Sequence, residues 1–413
     1  MAKAELPMSR ASATDSIRYP MRKLTAVLAV LAACALPHAA LAQKAAEGFQ
    51  TAAPHAILID ADSGSVLFEK GADQLTYPAS LAKLMTAEVV FNAIKEGDLD
   101  PETEFVISEN AWRKGGAPAG GSAMFAAIHS RVKIRDLLHG VIVQSGNDAC
   151  IALAEGLAGN EASFARMMNE RGRELGLTKS NFTNSSGLHD PDMRVTAREL
   201  AKLAQYIIKT YPDYYKIYGE REFTWNKIRQ QNRNPLLPMN IGADGLKTGF
   251  TKEAGYGLVG SAVQNGLRLI VVVNGLKTAK ERADEARKLL EWGYRAFESR
   301  LLFAEGETVG EAKLYGGAKG RVPLTGERPI RLLVPRGMTE KIVARIVYVG
   351  PVPAPVEQGK SIGRLKVWRG ENVVLEAPLQ AAETIPKGNI AQRAFDAASE
   401  LVVGLFRAGA ERL

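Results

Sequence analysis

Apolar and polar positions change their spacing several times along the chain, and each change predicts a different kind of element. Ala56-Ile57-Leu58-Ile59-Asp60 and Val66-Leu67-Phe68-Glu69 flank a polar Asp62-Ser63-Gly64 turn, the pattern of a hairpin. Behind Pro78, the residues Leu81, Leu84, Met85, Val89 and Ile94 recur at helical spacing, so 77–94 reads as a mostly buried helix. Residues 115–121, Gly-Gly-Ala-Pro-Ala-Gly-Gly, form a flexible loop by composition. Helical patterns follow at 134–143, 148–157 and 161–175. Strand signals return at 256–263 and 267–273 around Gln264-Asn265-Gly266, a strong hairpin signature. A helical stretch over 279–297 closes this region. Strands early and late with helices between imply one sheet that joins both ends of the segment and is covered by helices.

Near residue 298 the character changes. Short alternating runs at 330–334, 342–349, 365–368 and 373–375, separated by Gly and Pro, predict a small all-β, sandwich-like domain over 298–385. The tail, 386–413, changes again after Pro386-Lys387-Gly388. Ala391, Phe395, Ala398, Val402, Leu405 and Phe406 share one helical face, with Arg393, Asp396, Glu400 and Arg407 elsewhere. Such an amphipathic helix either packs on the β domain or lies on a membrane surface, and the break before it favours the membrane.

Composition adds bounds rather than a fold. At 413 residues, 46% hydrophobic and 24% charged, the chain is an ordinary soluble one with room for two domains. Residues 1–42 read as an export signal, with Arg22-Lys23, an apolar run over 24–36, and Ala40-Leu41-Ala42 before a cleavage expected ahead of Gln43. Met21 would be a more typical start, and Leu31-Ala32-Ala33-Cys34 offers a lipid-attachment box as the rival reading. That leader holds five Lys/Arg and two Asp/Glu, or +3 of the formal +8, so about +5 remains on the rest of the chain. With no long basic run, this reads as mild attraction to an anionic surface rather than nucleic-acid binding. Once the leader is removed only Cys150 remains, so no internal disulfide is expected. The five histidines are scattered, and neither a metal site nor a cofactor is indicated.

Candidate chemistry begins in the predicted helix. Ser80 and Lys83 are three apart, so they project from one face, close enough for an amine to take a hydroxyl proton. A serine opening a helix also offers an unpaired backbone N–H to a developing oxyanion. Alone the pattern is weak, since Ser130-Arg131-Val132-Lys133 satisfies it too, and a capping serine above an exposed lysine would look the same. Ser145-Gly146-Asn147 sits between helical runs, where a short polar loop can aim a hydroxyl and an amide inward, although Ser108-Glu109-Asn110 repeats that spacing. Lys247-Thr248-Gly249 occurs once, at a strand-like position before the late hairpin, where a surface turn is the plain alternative.

Together the three stretches stand in the order shared by serine β-lactamases and penicillin-binding proteins. The chain closely resembles the low-molecular-weight penicillin-binding proteins that are serine D-alanyl-D-alanine carboxypeptidases. The likeness extends through 144–150, 184–188, 231–237, 244–249 and 288–294. It implies an α/β catalytic domain over 43–297, with an antiparallel sheet flanked by helices, ahead of the β domain and the terminal helix. It also implies an exported enzyme attached peripherally to the inner membrane on its periplasmic side.

By resemblance, Ser80 attacks the penultimate carbonyl of a peptidoglycan D-Ala-D-Ala peptide and is acylated by β-lactams. Lys83 is its base, which requires a pKa far below ~10.4. Burial and a neighbouring cation such as Lys247 would both lower it. Ser145 passes a proton to the departing D-alanine, while Asn147 holds Lys83 and the substrate amide. Lys247 and Thr248 meet the terminal carboxylate, and Gly249 leaves room for substrate along the strand edge. The backbone N–H groups of Ser80 and Phe250 form the oxyanion hole. Arg233 and Arg282 match positions near the family's site, with exposed charges or a structural pair as the plain alternative. Phe250 departs from the histidine of well-known relatives, and Cys150, close to Ser145, raises the expectation of thiol-reagent sensitivity.

The nearest rival activities are a β-lactamase and a D,D-endopeptidase on the same fold. The Glu-x-x-Leu-Asn stretch of deacylating β-lactamases is missing, as the chain has no Leu-Asn pair. Gly359-Lys360-Ser361-Ile362-Gly363 matches a hydrolase pattern that should precede a helix, yet strand-like alternation follows it. A non-catalytic wall-binding protein would not need every reactive side chain.

Overall fold

The structure, a computed structural model, describes residues 49–337, 342–394 and 396–398; the expected export leader and most of the expected tail helix lie outside them. Its central sheet contains β1 (His55–Asp60), β2 (Val66–Lys70), β3 (Ala243–Thr251), β4 (Gly255–Gln264) and β5 (Leu267–Leu276). The order is β2-β1-β5-β4-β3, antiparallel throughout. The early hairpin therefore joins the late one, with His55 opposite Asn274 and Asp60 opposite Leu269. Asn265 and Gly266 both take positive φ, at 51° and 76°, the backbone a tight two-residue hairpin needs.

Alternation along β1 divides the core. Ile57 and Ile59 pack with helix α1 (Lys83–Glu96), α4 (Asn147–Ala158) and α6 (Ala197–Thr210). Ala56 and Leu58 face the other way, with Leu269, Val271 and Val273, onto Ala286, Leu289 and Leu290 of α8 (Ala279–Ala296). Both sheet faces are thus covered, which fixes the sheet as a rigid platform. Between α1 and α6 run α2 (Glu109–Gly115), α3 (Ile134–His139) and α5 (Glu161–Glu174), and α7 (Pro212–Gly219) follows α6. Side-chain caps open several of them: Asn160 accepts from Ser163 N, Thr196 from Glu199 N and Thr278 from Glu281 N.

Two local expectations are corrected. The glycine-rich 115–121 stretch is not simply a flexible loop. It ends α2 and holds a 3-10 turn, Ala117–Ala119, and a Cβ on Gly115 would lie 2.4 Å from Asp148 N. The helix expected over 134–143 stops at His139 and widens into a π turn, Gly140–Gln144, immediately before Ser145.

The all-β part has a strand pair, Phe297–Phe303 with Ile330–Pro335, and a six-stranded sheet. Ser361 opens one of the strands of that sheet, Ser361–Arg369, so no nucleophile-bearing helix follows the Gly359–Gly363 pattern. Ser65, in the β1–β2 turn, donates to Val374 O at 2.9 Å and ties the two parts together. In the tail, residues 390–394 and 396–398 are helical. Gly316 N donates to Asp396 Oδ2 at 2.7 Å, so the start of this helix touches the β part. Among the described residues, no helix is long and apolar enough to cross a membrane.

Candidate active site

Ser80 lies not in α1 itself but in the 3-10 turn Ala79–Ala82 that feeds into it. Ala79 has φ of 47° and is buried, so packing must hold this turn in a sparsely populated conformation. Asn274 Nδ2 donates to Tyr77 O at 3.0 Å. On another side a Cβ at Gly187, itself at φ +77°, would lie 1.9 Å from Ala79 O. A Cβ at Gly249 would meet Pro78 O at 2.9 Å and Leu81 N at 3.2 Å. The missing side chain of Gly249 therefore makes room for the nucleophile turn, whereas the sequence had assigned that room to substrate.

Lys83 is 1% exposed, while Ser80 is half-buried. Lys83 Nζ lies 2.9 Å from Ser80 Oγ, 2.8 Å from Asn147 Oδ1 and 2.5 Å from Ser186 O. Burial pushes its pKa down, Arg233 adds to that, and Cys150 and Asp148 pull the other way. Arg233 is thus one neighbouring cation acting on Lys83, and the mutual repulsion between Lys83 and Lys247 is the other, as the sequence had proposed. A neutral amine has two N–H bonds and one lone pair. Two carbonyl oxygens can take both hydrogens, which leaves the lone pair for the Ser80 hydroxyl.

Ser145 is 2% exposed and ends the π turn in the left-handed region, φ 67°. Asn147 opens α4, and its N–H donates to Ser122 O at 2.8 Å. The neighbouring Asp148 carboxylate accepts from Met124 N at 2.8 Å and Ala126 N at 3.2 Å, while Gln230 Nε2 donates to Met124 O at 2.8 Å. Segment 122–126 is thereby fixed to the base of the helix that carries Asn147.

On the third side is β3, the sheet's edge strand, with Lys247 and Thr248 buried and Phe250 50% exposed. Lys247 shares a strand face with Gly249 and so points toward the nucleophile turn. Its amine is depressed well below the ordinary lysine range, by burial first and then by Lys83 and Arg233. The Phe250 ring stacks on Tyr256 with centroids 4.1 Å apart, and the Arg282 guanidinium sits 5.6 Å from the Tyr256 centroid. Among the described residues neither Arg233 nor Arg282 has an acidic partner, so they are not a structural ion pair, and Arg282 Nε is buried without a hydrogen bond.

The three motif stretches thus converge. Ser130 does not join them; its Lys133 lies in the strand Arg131–Lys133 and pairs with Glu102. Cys150 is 0% exposed, and burial pushes its thiol up to about 12, contrary to the expected reagent sensitivity. Ser186 escaped the sequence reading because it contributes a backbone carbonyl, which leaves no side-chain signature.

A family model described as D-alanyl-D-alanine carboxypeptidase matches residues 41–278, and one described as penicillin-binding protein 5, C-terminal domain, matches 297–387. The D-alanyl-D-alanine carboxypeptidase DacC of Escherichia coli (strain K12) is 39% identical over 363 residues, covering 87% of this chain and 91% of that protein. The crystal structure of penicillin binding protein 5 from Haemophilus influenzae is 38% identical, with a TM-score of 0.72 over 82% of this chain and 99% of that one. Penicillin-binding protein D2 from Listeria monocytogenes in an ampicillin-bound form is 31% identical, with a TM-score of 0.54 over 60% of this chain and 99% of that one.

Proposed function

The chain belongs to the D-alanyl-D-alanine carboxypeptidase family, and from that membership we propose that Ser80 is the nucleophile with which this penicillin-binding hydrolase removes the terminal D-alanine of peptidoglycan pentapeptides. The observation that carries the assignment is the set of contacts around Lys83, a buried amine between two carbonyl acceptors and a half-exposed hydroxyl.

Neutral Lys83 takes the Ser80 proton as Oγ bonds to the penultimate carbonyl carbon. The carbonyl oxygen, now negative, is held by the N–H groups of Ser80 and Phe250. As the peptide C–N bond breaks, Ser145 relays the proton from Lys83 to the departing amine. Water then hydrolyses the ester on Ser80. Lys247 and Thr248 meet the terminal carboxylate, with Arg233 and Arg282 as further positive charge that no carboxylate among the described residues offsets. Asn147 holds Lys83 and the substrate amide. A β-lactam enters the same path and acylates the same serine.

The proposed organisation is a catalytic domain over 43–297 and a β domain over 298–385. The enzyme is exported through its leader and attached to the outer face of the cytoplasmic membrane by the amphipathic tail. The direct test is free D-alanine released from a D-Ala-D-Ala pentapeptide, alongside nitrocefin turnover. The parent should release D-alanine and turn nitrocefin over slowly, Ser80→Ala should release none, and fast nitrocefin hydrolysis without D-alanine release would mean a β-lactamase.

A further inference from the structure

Residues 184–188 form a turn to which the reaction above gives no part beyond one carbonyl. Asn184 Oδ1 accepts from Gly187 N at 2.8 Å and from Ser186 N and Oγ at 3.2 Å, and Asn184 Nδ2 donates to Leu188 O at 3.0 Å. One amide side chain thereby closes the turn from both ends, which an asparagine can do because it accepts and donates at once. The near side of this turn meets the reacting groups directly. Ser186 O accepts from Lys83 Nζ, and Gly187 is pressed against Ala79 O, next to Ser80. The far side is bolted to two helices: Thr86 Oγ1 in α1 donates to Ser185 O at 2.6 Å, and Ser185 Oγ donates to Glu161 Oε1 of α5 at 2.9 Å.

We propose that Asn184 is a positioning residue for the Lys83 amine. Its side chain holds the Ser186 carbonyl where it takes one of the two amine hydrogens, so that the lone pair is left aimed at Ser80 Oγ. Without it the N–H groups of Ser186 and Gly187, both buried residues, lose their acceptor, and the turn must rearrange to recover hydrogen bonds. An amine released on that side can rotate and donate to Ser80 Oγ, where it is no longer a base. The assignment rests on the reading of Ser80 and Lys83 given above. The Ser186 carbonyl meets the lysine amine, so loss of the Asn184 side chain slows the chemical step and leaves substrate capture alone.

The test is stopped-flow acylation by a fluorescent penicillin over a range of concentrations, which separates initial binding from the first-order acylation rate. For Asn184→Ala the acylation rate should fall about 10- to 100-fold, the scale of a misplaced catalytic group, with initial binding unchanged. Asn184→Asp keeps the acceptor oxygen and should recover most of that rate. Should the alanine variant fail to fold, Asn184→Ser decides, since its hydroxyl accepts less well and the rate should lie between those of the parent and the expected alanine value. An alanine or serine variant acylating at the parent rate overturns the proposal. So does an aspartate variant as slow as alanine, or a loss confined to initial binding. A parent that takes no penicillin on Ser80 is a different result, which overturns the Ser80 reading and this one together.

Discussion

Lys83 shows how a single buried residue can be an unfavourable element of the fold and still be what makes the site reactive. Burial lowers its pKa in the folded protein, with Arg233 contributing and Lys247 depressed alongside it. Acylation needs the neutral amine, so its rate should fall tenfold per pH unit below the folded-state pKa and be flat above it. Because the shift is downward, the plateau should begin below the ~10.4 of an ordinary lysine; a rate that levels off only above that value would contradict a lowered pKa. The same shift acts on stability with a definite sign. Between the lowered folded value and ~10.4 the unfolded chain binds the proton more tightly, so stability rises with pH across that window. Lys83→Met should abolish acylation and make the rise shallower, leaving the part that Lys247 contributes, measured by denaturant unfolding at a series of pH values. Ser80 and Lys83 were legible in the sequence because three motifs stood in one order. Ser186 was not, because a carbonyl looks alike on every residue, and 184–188 stood out only as a stretch of family likeness.

Among the elements, the 3-10 turn that presents Ser80 depends on how closely β3 can approach. Gly249→Ala would place a methyl 2.9 Å from Pro78 O and 3.1 Å from Leu81 Cγ. Backbone and core must then move apart, at a cost of about 1–3 kcal/mol of stability. The acylation rate should fall at least about tenfold with the displaced geometry. Gly266→Ala is the control, since nothing lies within 4 Å of its Cβ position and only its φ of +76° is strained. It should lose about 1–2 kcal/mol and acylate normally, and equal acylation losses in the two variants would show that general loosening, not contact with the turn, is responsible. Hydrophobic period predicted the hairpins and α1 because those elements are held by their own side chains. It missed the function of Gly249 and the order in 115–121, where what fixes the chain is close backbone approach, as of Gly115 to the start of α4.

For the molecule as a whole, the sheet order β2-β1-β5-β4-β3 brings residues far apart in sequence to one edge, as strands at both ends of the segment had implied. The helices α6 and α7 and the strands Glu222–Trp225 and Ile228–Gln231 were not read from the pattern. Their placement depends on the finished core, as where Gln230 in the second of these strands buttresses Met124. At the other end, deleting residues 390–413 should abolish co-sedimentation with anionic lipid vesicles and leave the acylation rate unchanged. Undiminished sedimentation would mean that this helix only packs on the β domain, as the Gly316–Asp396 contact begins to do. The claim beneath every other is that the 3-10 turn, the start of α4 and the edge of β3 meet around one activated hydroxyl. Intact-protein and peptide mass spectrometry after brief exposure to benzylpenicillin tests it most directly. A single adduct on the peptide bearing Ser80 is the expected result, and an adduct on any other residue, or none, would contradict it.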